Sequence, residues 1–139
     1  DSKKIIFEIN QRLKESLPQV KDVPVVAFSA LSGFNVNKLM PLVTRTYDLW
    51  NTRIKTSILN RWLYEINDRH PPPSSQGRKT KLRYITQSSA RPPTFILFSN
   101  NPRLLNDSWI RFATNDLRKA FNLPGIPIRF KVRRSRDTR

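Results

Sequence analysis

Apolar positions recur along this chain at helical spacing in four places and at strand spacing in four. Ile5, Ile9, Leu13 and Leu17 return every fourth residue with Ile6 beside them, and predict a helix from Ser2 to Leu17, capped by Ser2 and ended by Pro18. Val23 to Phe28 is a short unbroken apolar run, the pattern of a buried, parallel strand. Ser29 to Gly33 then reads as a tight loop. Asn35 stands as the cap of a second helix with Val36, Leu39, Met40, Val43 and Tyr47 on one face, and Pro41 falls early enough in it to be tolerated. Helix, buried strand, loop and helix form the repeating unit of an α/β sheet. One such unit closes no sheet, so residues 1–51 read as the end of a larger α/β domain.

After a polar link from Asn51 to Lys55, a third helix carries Ile58, Leu59, Trp62, Leu63 and Ile66 on its apolar face, capped by Thr56 or Ser57. Pro71, Pro72 and Pro73 stop it. Beyond a Ser/Gln/Gly turn, Arg78 to Gln87 reads as a strand, and Pro92 and Pro93 separate it from a second strand, Thr94 to Ser99. Arg103 to Leu105 suits a single helical turn. Asp107 or Ser108 caps a fourth helix whose inward stripe is Trp109, Ile110, Ala113, Leu117, Ala120 and Phe121. Ile126, Ile128, Phe130 and Val132 then alternate with Pro127, Arg129, Lys131 and Arg133, a half-buried strand with a basic outer row. The expected fold is α+β: a three-stranded sheet packed against helices in residues 52–134, after a partial α/β unit, with residues 135–139 a disordered basic tail.

Charge sharpens the division. Residues 1–52 hold seven Lys/Arg against five Asp/Glu, a net +2, whereas residues 53–139 hold nineteen against five, a net +14. So concentrated a charge is self-repelling unless a polyanion offsets it. RNA or DNA is the indicated partner, through Arg78, Lys79, Lys81, Arg83, Arg91, Arg129, Lys131 and Arg133, with Arg134 beside them, converging on one side. Tyr84 or an exposed Phe could stack a base. For Phe95, Phe98, Phe112, Phe121 and Phe130 the plainer expectation is core packing, and for Trp62 and Trp109 helix anchoring. An acidic protein surface is the other partner that such charge would suit.

Other chemistry is poorly provided for. The 139 residues include no cysteine, one histidine and three isolated glycines. Disulfides, thiolate metal sites and a Gly-rich phosphate loop are therefore excluded from this stretch. His70, ahead of three prolines, suits a helix end better than a catalytic base. No apolar run approaches a membrane span, and the opening residues do not resemble a signal peptide, so a cytoplasmic location with no membrane partner is expected.

Taken together, the motifs resemble a known family. The segment Ser29-Ala30-Leu31-Ser32-Gly33 after Val23 to Phe28, followed by Asn37-Lys38-Leu39-Met40-Pro41-Leu42-Val43, looks like the last guanine-recognition motif and final helix of a translational-type GTPase domain. Thr56 to Leu63, His70-Pro71-Pro72, Gly77 to Lys79 with Lys81 to Tyr84, Arg91 to Phe95, and Leu123 to Arg129 follow in an order similar to the C-terminal KH-like domain of the tandem-GTPase ribosome-assembly family Der, also called EngA. The likeness covers essentially the whole chain. It implies that residues 1–51 end the second GTPase domain, a P-loop fold, and that residues 52–134 are a KH-like domain with the type II order of elements. It further implies GTP hydrolysis with magnesium in the intact protein, a role in large-subunit maturation in the cytoplasm, and contacts to ribosomal RNA and to the protein's own GTPase domains.

By position the resemblance assigns Ser29, Ala30 and Leu31 to the guanine loop, with the Ala30 N–H facing the base and Leu31 where many relatives of the wider class have lysine. The phosphate loop, switches and Asn-Lys-x-Asp motif are absent from this stretch, so these residues alone are expected to be non-catalytic and to need no cofactor of their own. Asn101 to Asn106 stands where a regular KH module has its Gly-x-x-Gly loop, and contains no glycine. That leaves the basic strands as the candidate contact. Docking on a GTPase domain without RNA is the alternative use of the same face.

Overall fold

The computed structural model describes residues 1–136. In chain order its elements are α1 (Ser2–Ser16), α2 (Leu39–Trp50), α3 (Thr56–Arg69), β1 (Leu82–Ser89), β2 (Thr94–Ser99), α4 (Asp107–Ala120) and β3 (Arg129–Arg134), with 3-10 turns at Val36–Lys38 and Pro102–Leu104. The strands form one mixed sheet in the order β1-β2-β3: β1 runs antiparallel to β2, and β3 parallel to it. This is the α+β arrangement of a KH-like domain.

β2 is the strand around which the sheet is built. Phe95 and Leu97 are fully buried. They pair with Gln87 and Ile85 of β1 and with Phe130 and Val132 of β3. Against that face lie Leu59, Trp62, Leu63 and Ile66 of α3 and Trp109, Ala113 and Leu117 of α4, with Leu105, Leu123 and Ile126 filling the ends. The whole buried core therefore comes from residues 59–126. Ile58 and Ala120, expected on the inward stripes, are exposed at the margins of their helices.

The helix ends differ from expectation in detail. Asn106, rather than Asp107 or Ser108, caps α4: its Oδ1 accepts the Trp109 N–H at 2.8 Å. α3 starts after Lys55 with no side-chain cap. Asn35 stands before its 3-10 turn in the left-handed region, but its amide donates to the Ala27 carbonyl at 3.1 Å instead of capping.

One polar contact organises the edge of the sheet. Asn60, on α3, donates from Nδ2 to the Ile85 carbonyl at 2.9 Å and accepts the Ile85 N–H on Oδ1 at 3.0 Å. A side-chain amide thus stands in for a neighbouring strand and closes the exposed edge of β1. Gln87 joins the link before α3 to the same strand, accepting the Ile54 N–H and donating to the Thr52 carbonyl, each at 2.8 Å.

Residues 1–51 are organised differently. Neither α1 nor α2 buries a residue fully. Ile5, Phe7, Met40, Val43 and Tyr47 are each at least half exposed. Val23 to Phe28, expected as a buried parallel strand, forms no strand and is at most half-buried. A strand is fixed by the ladder beside it, and every described strand lies between Leu82 and Arg134, none next to this segment.

The two parts meet where the chain turns after α1. Arg118 of α4 is only 5% exposed. Its guanidinium donates to the carbonyls of Leu123 at 2.8 Å, Ile126 at 2.6 Å and Gln19 at 3.4 Å. Burial lowers the pKa of this group, and the Asp22 carboxylate opposes that shift. Beside it the Gly125 N–H donates to the Lys21 carbonyl at 2.7 Å. Gly125 has φ +71, and a Cβ there would meet Pro24 Cδ at 2.6 Å, so only glycine lets the two turns close. The expected disordered tail begins differently: Ser135 N–H donates to the Ser99 carbonyl at 2.8 Å and extends the β2–β3 ladder. Residues 137–139 of that tail lie outside the described residues.

Two substitutions test these joints. Asn60→Ala leaves the Ile85 amide and carbonyl unpaired; it should lower stability by about 1–3 kcal/mol in urea unfolding and speed exchange of the Ile85 amide. Gly125→Ala should release the 19–24 turn, seen as faster proteolysis between Leu17 and Val23 while residues 53–136 stay resistant.

Candidate nucleic-acid interface

Because Phe95 and Leu97 face the helices, Ile96 and Phe98 face the other way, and no helix covers that side among the described residues. The register places Tyr84 beside Phe98 and Thr86 beside Ile96 on one flank. On the other flank Arg133 lies beside Phe98, Lys131 beside Ile96 and Arg129 beside Thr94. The open face is thus a central aromatic and aliphatic patch bordered along β3 by three exposed cations. Tyr84 is 43% exposed and its ring lies 6.3 Å from that of Phe98, tilted by 39°. Phe98 belongs to no part of the buried core, unlike Phe95, and Phe112, Phe121 and Phe130 pack against the core's margin.

A second basic group lies at the end of the sheet where β2 finishes. Arg78, Lys79, Arg103 and Arg134 surround a concavity of about 620 Å³, floored by Asn100, Asn101, Pro102 and Leu104. The chain from Arg78 to Lys81 was expected to begin β1 but lies outside it. β2 stops at Ser99 and Pro102 follows soon after, so beyond the Leu82–Ser99 pair one backbone bond continues, from the Asn100 N–H to the Lys81 carbonyl at 3.2 Å. Side chains hold the rest of the approach. Asn100 Oδ1 accepts the Lys81 N–H at 2.8 Å, and its Nδ2 donates to the Lys79 carbonyl at 3.4 Å. Thr80 Oγ1 donates to the Pro73 carbonyl at 2.8 Å.

The eight cations expected on one side are therefore divided. Arg129, Lys131 and Arg133 border the open face, and Arg78 and Lys79 join the end concavity. Lys81 is exposed just before β1. Arg83 sits at a β-bulge between the Leu82–Ser99 and Tyr84–Phe98 pairs. Arg91 is in the turn at the opposite end of β2, with its N–H on the Trp50 carbonyl at 3.0 Å. Sequence reading left out Arg103, whose charge stands alone in its stretch and gains meaning only from the 3-10 turn that brings it to Arg78 and Lys79.

Among the described residues no carboxylate pairs with either group. β1, β2 and β3 contain no Asp or Glu. The one ion pair among the described residues, Arg69 with Asp116 at 3.3 Å, lies on the helical side. There Asp116 also accepts the Trp62 indole N–H at 2.8 Å. No group of side chains suited to a metal ion occurs among the described residues. His70 ends α3, its ring 4.1 Å from that of Phe112 and its carbonyl accepting the Trp109 indole N–H at 3.2 Å, a packing role.

The loop assigned to guanine is a hydrogen-bonded turn. Ser29 N–H donates to the Phe34 carbonyl and Gly33 N–H to the Ser29 carbonyl, each at 2.9 Å. Ser29 Oγ accepts the Ser32 N–H at 3.1 Å. The N–H groups of Ala30 and Leu31 make no bond among the described residues, and Leu31 is 100% exposed.

A three-stranded mixed sheet with helices on one face is the arrangement of a KH-like module. The family described as "KH-domain-like of EngA bacterial GTPase enzymes, C-terminal" matches residues 53–133, and the chain belongs to that family. It is similar to proteins named GTPase Der: 52% identical over 126 residues to that of Azorhizobium caulinodans, 40% over 137 to that of Parvibaculum lavamentivorans and 44% over 133 to that of Rickettsia akari. These alignments cover 88%, 99% and 94% of this chain but only 28%, 29% and 30% of the respective relatives. The chain thus spans less than a third of the length of the relatives it matches. No described helix is long and apolar enough to cross a membrane.

Proposed function

We propose that this KH-like module contacts ribosomal RNA as the C-terminal part of a GTPase that acts in large-subunit assembly in the cytoplasm. The observation that carries this reading is the pair of cation groups, at the sheet end and along β3, with no carboxylate partner among the described residues, in the part of the chain (residues 53–139) bearing +14. Lysine and arginine placed so bind phosphates and release counterions. Residues 1–51 are, on the same reading, the end of the adjoining GTPase domain. Their free Ala30 and Leu31 N–H groups fit the edge of a guanine base, with Ser29 holding the turn. GTP and magnesium would serve the intact protein; this stretch supplies no phosphate loop and is proposed to be non-catalytic by itself.

Titration of the chain with a structured ribosomal RNA fragment at several salt concentrations tests the reading. Affinity should fall steeply with salt. The double substitution Lys79→Glu with Arg103→Glu should weaken binding about tenfold or more and flatten that slope by about one unit or more. Unchanged affinity would remove the sheet end from the interface. A parent chain with no measurable RNA affinity at low salt would favour docking of the basic face on the protein's own GTPase domains.

A further inference from the structure

We propose that the open face of the sheet is a stacking platform for the unpaired bases of single-stranded RNA, with Tyr84 and Phe98 receiving base faces and Arg129, Lys131 and Arg133 receiving the phosphates. This rests on the RNA-binding reading above and names the form of RNA that this face takes. KH modules as a class grip the backbone at a Gly-x-x-Gly loop. The corresponding turn here, Asn101 to Asn106, has no glycine and belongs to the other basic group. The open face is a separate surface.

Register sets its geometry. Tyr84, Phe98 and Arg133 lie side by side across the three strands, and Thr86, Ile96 and Lys131 form the next row. Neighbouring strands are about 4.8 Å apart, and alternate residues along a strand recur about every 6.6 Å. Lys131 and Arg133 therefore each stand one strand away from an apolar group at the same level, with Arg129 beside Thr94 at the end of the row, so a chain lying along β3 can place its phosphates on the cations and its bases over β2 and β1.

The chemistry selects the ligand. Two neighbouring rings, one of them 43% exposed, lie outside the core on the open face. Aromatic rings on strands that carry no carboxylate suit bases stacked beside their own phosphates. A duplex keeps its base faces stacked on one another and offers Tyr84 nothing to cover. An acidic peptide would satisfy β3 and leave the rings in water.

The test compares an unstructured RNA of about ten nucleotides, within the span of single-strand sites, with a duplex of the same sequence. Tyr84→Ala should weaken single-strand binding about five- to 150-fold, the equivalent of one stacked base, and leave duplex binding unchanged. Tyr84→Phe should restore it to about twofold of the parent. Phe98→Leu, which keeps the apolar bulk, should give a loss of the same kind, and thermal unfolding of each variant reports whether the fold persists. In the parent chain, a photoreactive uridine should crosslink to Tyr84 or Phe98. Parent-like single-strand binding by both Tyr84→Ala and Phe98→Leu overturns the platform while leaving RNA binding by the cations intact. Equal losses for single strand and duplex, or an oligoglutamate that binds with the same dependence on Tyr84, would also overturn it. If the parent binds neither RNA, the broader RNA reading fails with it.

Discussion

Among the described strands β2 alone is bonded on both sides, and the rest of the module depends on its alternation. Six residues supply both surfaces of the sheet. Phe95 and Leu97 are fully buried against the helices, whereas Ile96 and Phe98 are left half-buried on the other side. Two helices of 14 residues can cover one face of a three-stranded sheet, and α3 and α4 do so. The opposite face is then open by geometry, and what it carries is decided by which residues fall on that parity. On β3 these are Arg129, Lys131 and Arg133. Asn60 completes the arrangement by bonding the outer edge of β1 at Ile85.

The N-terminal part is tied to this module by Leu49 and Trp50 of α2, which pack against its core, and through backbone carbonyls. Arg118 gathers three of them, one from Gln19, and Gly125 permits the close approach of Pro24. A buried guanidinium is costly unless its donors are used, and here most are, although Nε has no partner. The apolar stripes of α1 and α2, by contrast, stay largely exposed. Their amphipathic pattern thus leaves apolar side chains exposed on the N-terminal part.

Local periodicity made much of the module readable before its structure. α3, α4 and β2 announce themselves because apolar spacing, prolines and strand length are properties of a short stretch. What escaped reading depends on distant neighbours. Val23 to Phe28 has the composition of a strand but no ladder beside it. Arg78 to Lys81 alternates like a strand, yet its would-be partner ends at Ser99. Phe95 and Phe98 are the same residue three positions apart, and only the register sends one into the core and the other to the open face. Arg118 looks like one more surface charge until the Gln19 turn folds over it. The division of the basic residues into two groups was hidden for the same reason, since sequence order does not reveal that Arg103 and Arg134 meet Arg78.

The most direct measurement is an amide chemical-shift map of the isotopically labelled chain titrated with single-stranded RNA. The perturbed amides should gather on β1, β2 and β3 around Tyr84, Phe98 and Lys131, with a second group near Lys79 and Arg103. Perturbations confined to the exposed faces of α3 and α4, or to residues 1–51, would contradict that placement.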